Sequence, residues 1–310
     1  MIRWGLCCIF REVPIKFRRT TAKYTAKLST GARLGHLSNI CLHNADSLLG
    51  ALQFCRRNGI GAFRINSQIL PLKTHPQLGY AIEELPQSTE IITAFRKCKA
   101  YCRRHDLRTS FHPDQFILLS SPNPEVTQRS IADLRYQAEV AEWVGADVIN
   151  IHAGGAYGNK DEALKRLVRQ IRGLPHNVRN RLTLENDDRL YTPRDLLPVC
   201  EKLGIPIVYD LHHHRCLPDG RNVEDTTRQA FKTWNREPLF HISSPLNSCQ
   251  DGNPRNHHEY INAEDFPQCW LNLDITVEVE AKAKELAVIE LRREIEKKHK
   301  KLLKTYKVTR

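Results

Sequence analysis

Short strand-like runs and helix-periodic stretches alternate along this chain from its first residues to about residue 274. Residues 2–8, 62–67, 109–112, 147–152, 181–185, 205–211, 239–243 and 269–274 read as strands, being short, rich in branched or aromatic residues and bounded by turn formers. Between them lie helical periods. Cys41, Leu48, Leu49, Leu52 and Cys55 mark a helix over 38–57 that Asn58-Gly59 stops, and Ile91, Ile92, Phe95, Cys98 and Cys102 mark one over 89–104. Asn123-Pro124 opens a third helix, along which Ile131, Leu134, Ala138, Ala141 and Val144 step by three or four. Further helices are expected at 161–173, from Thr192-Pro193 to Leu203, and at 223–235. Residues 16–23 read as a basic loop, and 244–268, rich in Pro, Asn, His and Asp, as a long one. Six of the seven links carry a helix, which implies parallel pairing, and eight such units are what a (β/α)8 TIM barrel requires. An open doubly wound sheet is the alternative.

The length of 310 residues suits one such barrel, of about 250 residues, with an appendage. Residues 1–286 are assigned to the barrel and 287–310 to a basic helical tail. No run of eighteen apolar residues occurs, so no membrane partner or spanning helix is expected. The apolar start, Met1 to Phe10, is too short for a signal segment and is read as a buried strand in a cytoplasmic protein. Ten cysteines form neither a CxxC pair nor a dense framework, so they are expected to be reduced and buried. The net charge is +12, of which +7 falls in residues 281–310, so a polyanion partner is expected. In the tail, Val288, Leu291, Ile295 and Leu302 follow a 3-4-7 spacing, compatible with a docked helix or one that orders on DNA.

The chemistry stands at the strand ends. His112, His152, Glu185, Asp210 and His241 each close a strand, and His213 follows Asp210 by three. A barrel gathers these ends at one mouth, where active sites form. His and carboxylates together are 49 of 310 residues, so five successive strands ending only in these types are hard to assign to chance. Imidazole mixed with carboxylate suits manganese or zinc better than a dedicated magnesium or calcium site. Six ligands exceed the four that one zinc takes, so at least two divalent ions are inferred. If β geometry persists past Asp210, His212 faces the mouth; if the chain turns after Leu211, His213 does.

These residues sit in a wider pattern. His112-Pro113-Asp114-Gln115-Phe116, Ile149-Asn150-Ile151-His152-Ala153-Gly154-Gly155, Leu184-Glu185-Asn186-Asp187, Asp210-Leu211-His212-His213, His241-Ile242-Ser243-Ser244 and His257-His258-Glu259-Tyr260 occur in order. Together with Phe63-Arg64-Ile65-Asn66-Ser67, Pro71-Leu72-Lys73-Thr74-His75 and Glu280-Ala281-Lys282-Ala283-Lys284, they resemble the UV damage endonucleases, and the likeness runs from about Arg3 to Leu286. The resemblance implies a barrel related to endonuclease IV that holds two or three divalent ions, often manganese, and nicks UV-damaged double-stranded DNA 5′ to a photolesion. It implies the ligands His75, His112, His152, Glu185, Asp210, His213, His241, His257 and Glu280; of these, Glu185 and Glu280, whose two oxygens can each span neighbouring ions, are the candidate bridging catalytic carboxylates. His257 and Glu280 are preferred over His258 and Glu278 because they match the family's His-x-acid-Tyr and Glu-Ala-Lys orders. It also implies that Gln115 and Phe116 probe the lesion; a core position is the other reading of Phe116.

Two positions depart from the family pattern. Leu239 stands where some members carry Lys two residues before the strand-seven His, and Leu6 where members often carry Tyr. Two further functions fit a barrel with ligands at its mouth: an endonuclease IV-like nuclease at abasic sites, and a divalent-metal sugar isomerase. A non-catalytic DNA-binding or metal-storage protein would leave the ordered ligands without purpose. Phosphate contacts are expected from basic residues such as Arg18, Arg19, Lys160 and the tail.

Overall fold

The computed structural model describes residues 1–113, 116–246 and 253–308, the side chains of 299–308 excepted. Strand β1 (Ile2–Cys7) leads to α1 (Ala22–Thr25), α2 (Thr30–Arg57), β2 (Ala62–Ile65), α3 (Ser88–His105), β3 (Arg108–Phe111), α4 (Pro124–Val144) and β4 (Val148–His152). The second half continues through α5 (Lys160–Arg172), α6 (His176–Arg179), β5 (Leu182–Glu185), α7 (Pro193–Leu203), β6 (Ile207–Asp210) and α8 (Leu211–Cys216). It closes with α9 (Val223–Lys232), β7 (Leu239–Ile242), β8 (Ile275–Val279) and α10 (Glu285–Val308). The eight strands form a closed parallel barrel in sequence order, β8 returning to β1 through pairs such as Trp4 with Val277. This is the TIM barrel expected from the alternation, and closure excludes the open sheet.

The expected eighth strand is displaced. Residues 269–274 contain a 3₁₀ turn, Gln268–Trp270, and the strand follows at Ile275–Val279. The reason is packing. Trp270 is fully buried with its ring near Tyr209, Phe240 and Phe266, and its indole N–H donates to Thr227 Oγ1 at 2.9 Å. That hydrophobic plug sits outside the barrel wall, while the β-branched run Ile275-Thr276-Val277 forms it. Helix α2 starts at Thr30, eight residues before its apolar periodicity is legible, and α1 occupies the end of the expected 16–23 loop. The 244–268 connection carries no α-helix among its described residues.

Local signals place the elements that matter. Thr192 caps α7 in a reciprocal box: its hydroxyl accepts from Asp195 N–H, and the Asp195 carboxylate accepts from Thr192 N–H at 2.8 Å. Asp210 ends β6 and caps α8, accepting from His213 N–H at 2.7 Å, so the chain turns after Leu211 and carries His213 to the mouth. Phe63, Phe111, Tyr209 and Phe240 are fully buried, each contributing about 1.5–3 kcal/mol. The C-terminal helix is docked: Val288, Leu291 and Ile295 are buried against the barrel. Leu302 lies outside the described side chains. All described cysteines are free thiols, most of them buried. No described helix is long and apolar enough to cross a membrane.

Candidate metal centre

Strand register builds the site. His152 pairs laterally with Glu185, and Asp210 with His241, which pairs in turn with Glu278. Parallel strands at one level bring these residues side by side at the mouth. Glu185, 1% exposed, is the hub. Its Oε2 lies 2.9 Å from His112 Nε2 and 3.9 Å from His152 Nε2; its Oε1 lies 3.1 Å from His241 Nδ1 and 3.3 Å from His213 Nδ1. Asn150 donates to Oε2 at 2.5 Å and orients the carboxylate. Asn186 fixes the next position by accepting Asp210 N–H at 3.0 Å and donating to Asp210 O at 2.9 Å.

Three groups have ligand atoms mutually within 4.8 Å: His112, His152 and Glu185; His112, His241 and Glu280; Glu185, Asp210 and His213. Seven of the nine ligands implied by the resemblance therefore converge. His257 stands beside them, its Nδ1 3.9 Å from Glu280 Oε2, and His75 belongs to none of the groups. His75 Nδ1 accepts the N–H groups of Gln77 and Leu78 at 3.2 Å, which orients its ring within its own loop. Gln115 lies outside the described residues. Phe116 is 73% exposed, which removes the core reading of that ring. Leu6 and Leu239, at the two departures, are buried.

Two residues of the site were given no role in the sequence: Arg64 stood only within a motif, and Glu278 was set aside in favour of Glu280. Arg64, 7% exposed, directs Nη2 at Glu278 Oε2 (2.5 Å), Glu280 Oε1 (2.6 Å) and His241 Nε2 (2.9 Å). Glu278, 1% exposed, also accepts from Ser110 and lies 3.1 Å from His241 Nε2. The signal was an arginine inside a four-residue strand that is otherwise apolar, since a buried guanidinium needs carboxylate partners.

Charge coupling follows from this crowding. Burial pushes the Glu185 carboxyl up, but the imidazoles of His241, His152 and His112 outweigh it and hold it well below the usual range. Burial likewise opposes ionisation of Glu280 and Glu278, yet Arg64 and then His241 hold both low, Glu278 at about 2. Burial lowers His241 and His213, and carboxylates reverse this: Glu185 foremost raises His241 to about 10, and Asp210 foremost raises His213. His152 is lowered, burial being the main cause.

The donor set fits divalent cations. His112 Nδ1, His152 Nδ1 and Asp210 Oδ2 are buried without a hydrogen-bond partner, and all three atoms belong to residues of the ligand groups. Carboxylates in excess of fixed cations, interleaved with imidazoles, are what manganese or zinc takes.

A closed parallel barrel whose strand ends crowd imidazoles and carboxylates into adjoining ligand groups defines a TIM barrel with a candidate metal centre. The chain belongs to the UV-endonuclease UvdE family, whose profile matches residues 2–307. That match runs beyond Leu286, where the motif likeness ends, into the C-terminal helix. A UV DNA damage endonuclease of Bacillus velezensis is 37% identical over 306 residues, covering 93% of this chain and 91% of that protein. The crystal structure of SacUVDE is similar with a TM-score of 0.86 at 26% identity, covering 96% of this chain and 99% of that one. Endonuclease IV from Thermus thermophilus shares the fold, with a TM-score of 0.60 at 15% identity over 95% of this chain and 97% of that one.

Proposed function

We propose that this protein is a metal-dependent endonuclease that nicks duplex DNA immediately 5′ to pyrimidine dimers and 6-4 photoproducts, leaving a 3′-hydroxyl and a 5′-phosphate. The observation that carries the reading is Glu185: one buried carboxylate shared by two of the three ligand groups, with its two oxygens turned to different imidazoles. Two or three divalent ions, manganese foremost with zinc or magnesium as alternatives, would be held by His112, His152, Glu185, Asp210, His213, His241 and Glu280, with His257 at the edge. Bound there, such ions supply a nucleophile stronger than water at neutral pH and neutralise charge on the departing oxygen. Glu185 and His112 are each shared by two of the groups, Glu280 is the second carboxylate assigned a bridging role, and Asn150 and Arg64 orient Glu185 and Glu280.

Lesion selection is a separate task. A photodimer stacks and pairs poorly, so exposing it costs roughly a few kcal/mol less than exposing two normal bases. Phe116, projecting into solvent on the loop after His112, can occupy the vacated stack, and Gln115 can bond the orphaned bases. The substrate is UV-damaged double-stranded DNA and the active form is a monomer in the cytoplasm, associated with the nucleoid when bound to DNA.

Supercoiled plasmid, untreated, UV-irradiated or depurinated, is incubated with the protein and manganese. Nicking of the irradiated plasmid, abolished by a chelator, is expected. Equal nicking of all three plasmids, or nicking confined to the depurinated one, would overturn the photolesion assignment.

A further inference from the structure

Beside the ligand groups lies a pocket of about 280 Å³ whose lining includes Arg19, Arg64, His257, Glu280, Lys282 and Lys284. Four cations face one carboxylate there, and that carboxylate is already engaged by Arg64 at 2.6 Å. Among the described residues, the side chains of Arg19, Lys282 and Lys284 have no acidic partner. Lys160, another expected phosphate contact, is by contrast held by Asp195 at 2.6 Å.

The local chain explains why these cations converge. Ala281 and Ala283 are buried, which turns the intervening Lys282 and the following Lys284 outward. Lys282 N–H donates to His258 O at 3.1 Å and Ala283 N–H to Glu259 O at 2.9 Å, tying the segment to the His257 connection. Lys284 has φ +52°, a conformation L side chains rarely adopt. Next in sequence, buried Glu285 accepts the N–H groups of Arg11 and Glu12 at 2.8 Å, so the loop leading to Arg19 is anchored to the same turn.

A second pocket, lined by His75, Pro113 and Phe116, adjoins the first: Thr20 and Ser67 line one, and their neighbours Arg19 and Asn66 line the other. The second pocket carries the exposed Phe116 ring and the first carries the cations, with Glu280 in the cationic wall.

We propose that the pocket of Arg19, Lys282 and Lys284 holds the DNA backbone phosphate next to the one that is cut, a contact indifferent to base sequence and to damage. The proposal rests on the endonuclease reading of the neighbouring metal centre. It deepens that reading by naming which cations grip the strand. Lysine and arginine at a phosphate displace condensed counterions, so binding acquires salt dependence of about one unit of slope for each phosphate contacted.

The test is fluorescence anisotropy of the full chain with a labelled duplex, undamaged or UV-irradiated, across a salt series. The Lys282→Gln/Lys284→Gln variant is expected to lower the salt slope by about 1 and to weaken both duplexes equally. Its metal content by elemental analysis is expected to match the unchanged protein. Lys165→Gln/Lys202→Gln, which removes the same charge from a groove between α5 and α7, serves as the control and should leave the slope unaltered. An unaltered slope in the first variant, a loss confined to irradiated DNA, or a loss of metal would each overturn the proposal. The undamaged duplex decides it independently of lesion recognition, whereas failure of the unchanged protein to nick irradiated plasmid would strike the endonuclease reading.

Discussion

Arg64→Met removes the one guanidinium that faces Glu278, Glu280 and His241 together, at 2.5, 2.6 and 2.9 Å, while keeping most of the side-chain volume. Removing one partner of a buried pair strands the other charge, at a cost of about 3–5 kcal/mol. Burial drives the Glu278 carboxyl up, and Arg64 is the largest influence opposing it, so without Arg64 that group should move from about 2 back above its ordinary 4.5. The sign of the pH effect follows. A depressed carboxyl contributes stability that is present above its unfolded value near 4.5 and is lost as pH falls through about 2. The gap between the parent and Arg64→Met should therefore be widest at neutral pH and narrow between pH 4.5 and 2. Urea unfolding with a chelator present, so that ion binding does not enter, measures the gap at several pH values. Adding Glu278→Gln to Arg64→Met should recover at least about 1 kcal/mol, because the stranded charge is gone. A neutral-pH loss below about 1 kcal/mol, or a gap that does not change with pH, would refute this account of the barrel interior.

Four further outcomes are expected. His152→Ala or Glu185→Ala should abolish nicking and lower metal content while leaving DNA affinity within a few fold; full activity in both variants would contradict the shared ion site. Phe116→Ala should reduce discrimination for irradiated over intact DNA with metal content unchanged, and preserved discrimination would remove the ring from lesion reading. Because carboxylates raise His213, and raise His241 to about 10, ion binding near pH 7.5 should release protons and tighten as pH rises from 6 to 8. Calorimetry in buffers of different ionisation enthalpy reads that release directly, and a buffer-independent heat would count against it. Deleting residues 287–310 should leave insoluble protein, since Val288, Leu291 and Ile295 are buried and contribute about 1.5–3 kcal/mol each, whereas ending the chain after Lys298 should keep the unfolding midpoint. A stable 1–286 protein would show that the docked turns are dispensable.

Much of this is legible in the amino-acid sequence, for physical reasons. Strand period, helix period, the Thr192-Pro193 cap and the His, Glu and Asp at strand ends are local properties, and a parallel barrel converts strand ends into one mouth. The misread eighth strand shows the limit: Trp270 packs as a plug that only Tyr209, Phe240 and Phe266 together can create. His75 and His257 matched motifs equally well and neither joins the three ligand groups, yet His257 stands 3.9 Å from Glu280 while His75 Nδ1 is turned to Gln77 and Leu78 N–H, because motif order carries no distance.

The amino-acid sequence alone determined the barrel and the chemical types at its rim, since both follow from periodicity and position along the chain. Tertiary structure alone decided that Arg64 sits among the carboxylates, that Trp270 packs as a plug before the last strand, and that Lys282 and Lys284 share a pocket with Arg19. Each of those depends on groups far apart in sequence meeting within a few ångströms, where burial and charge set their state.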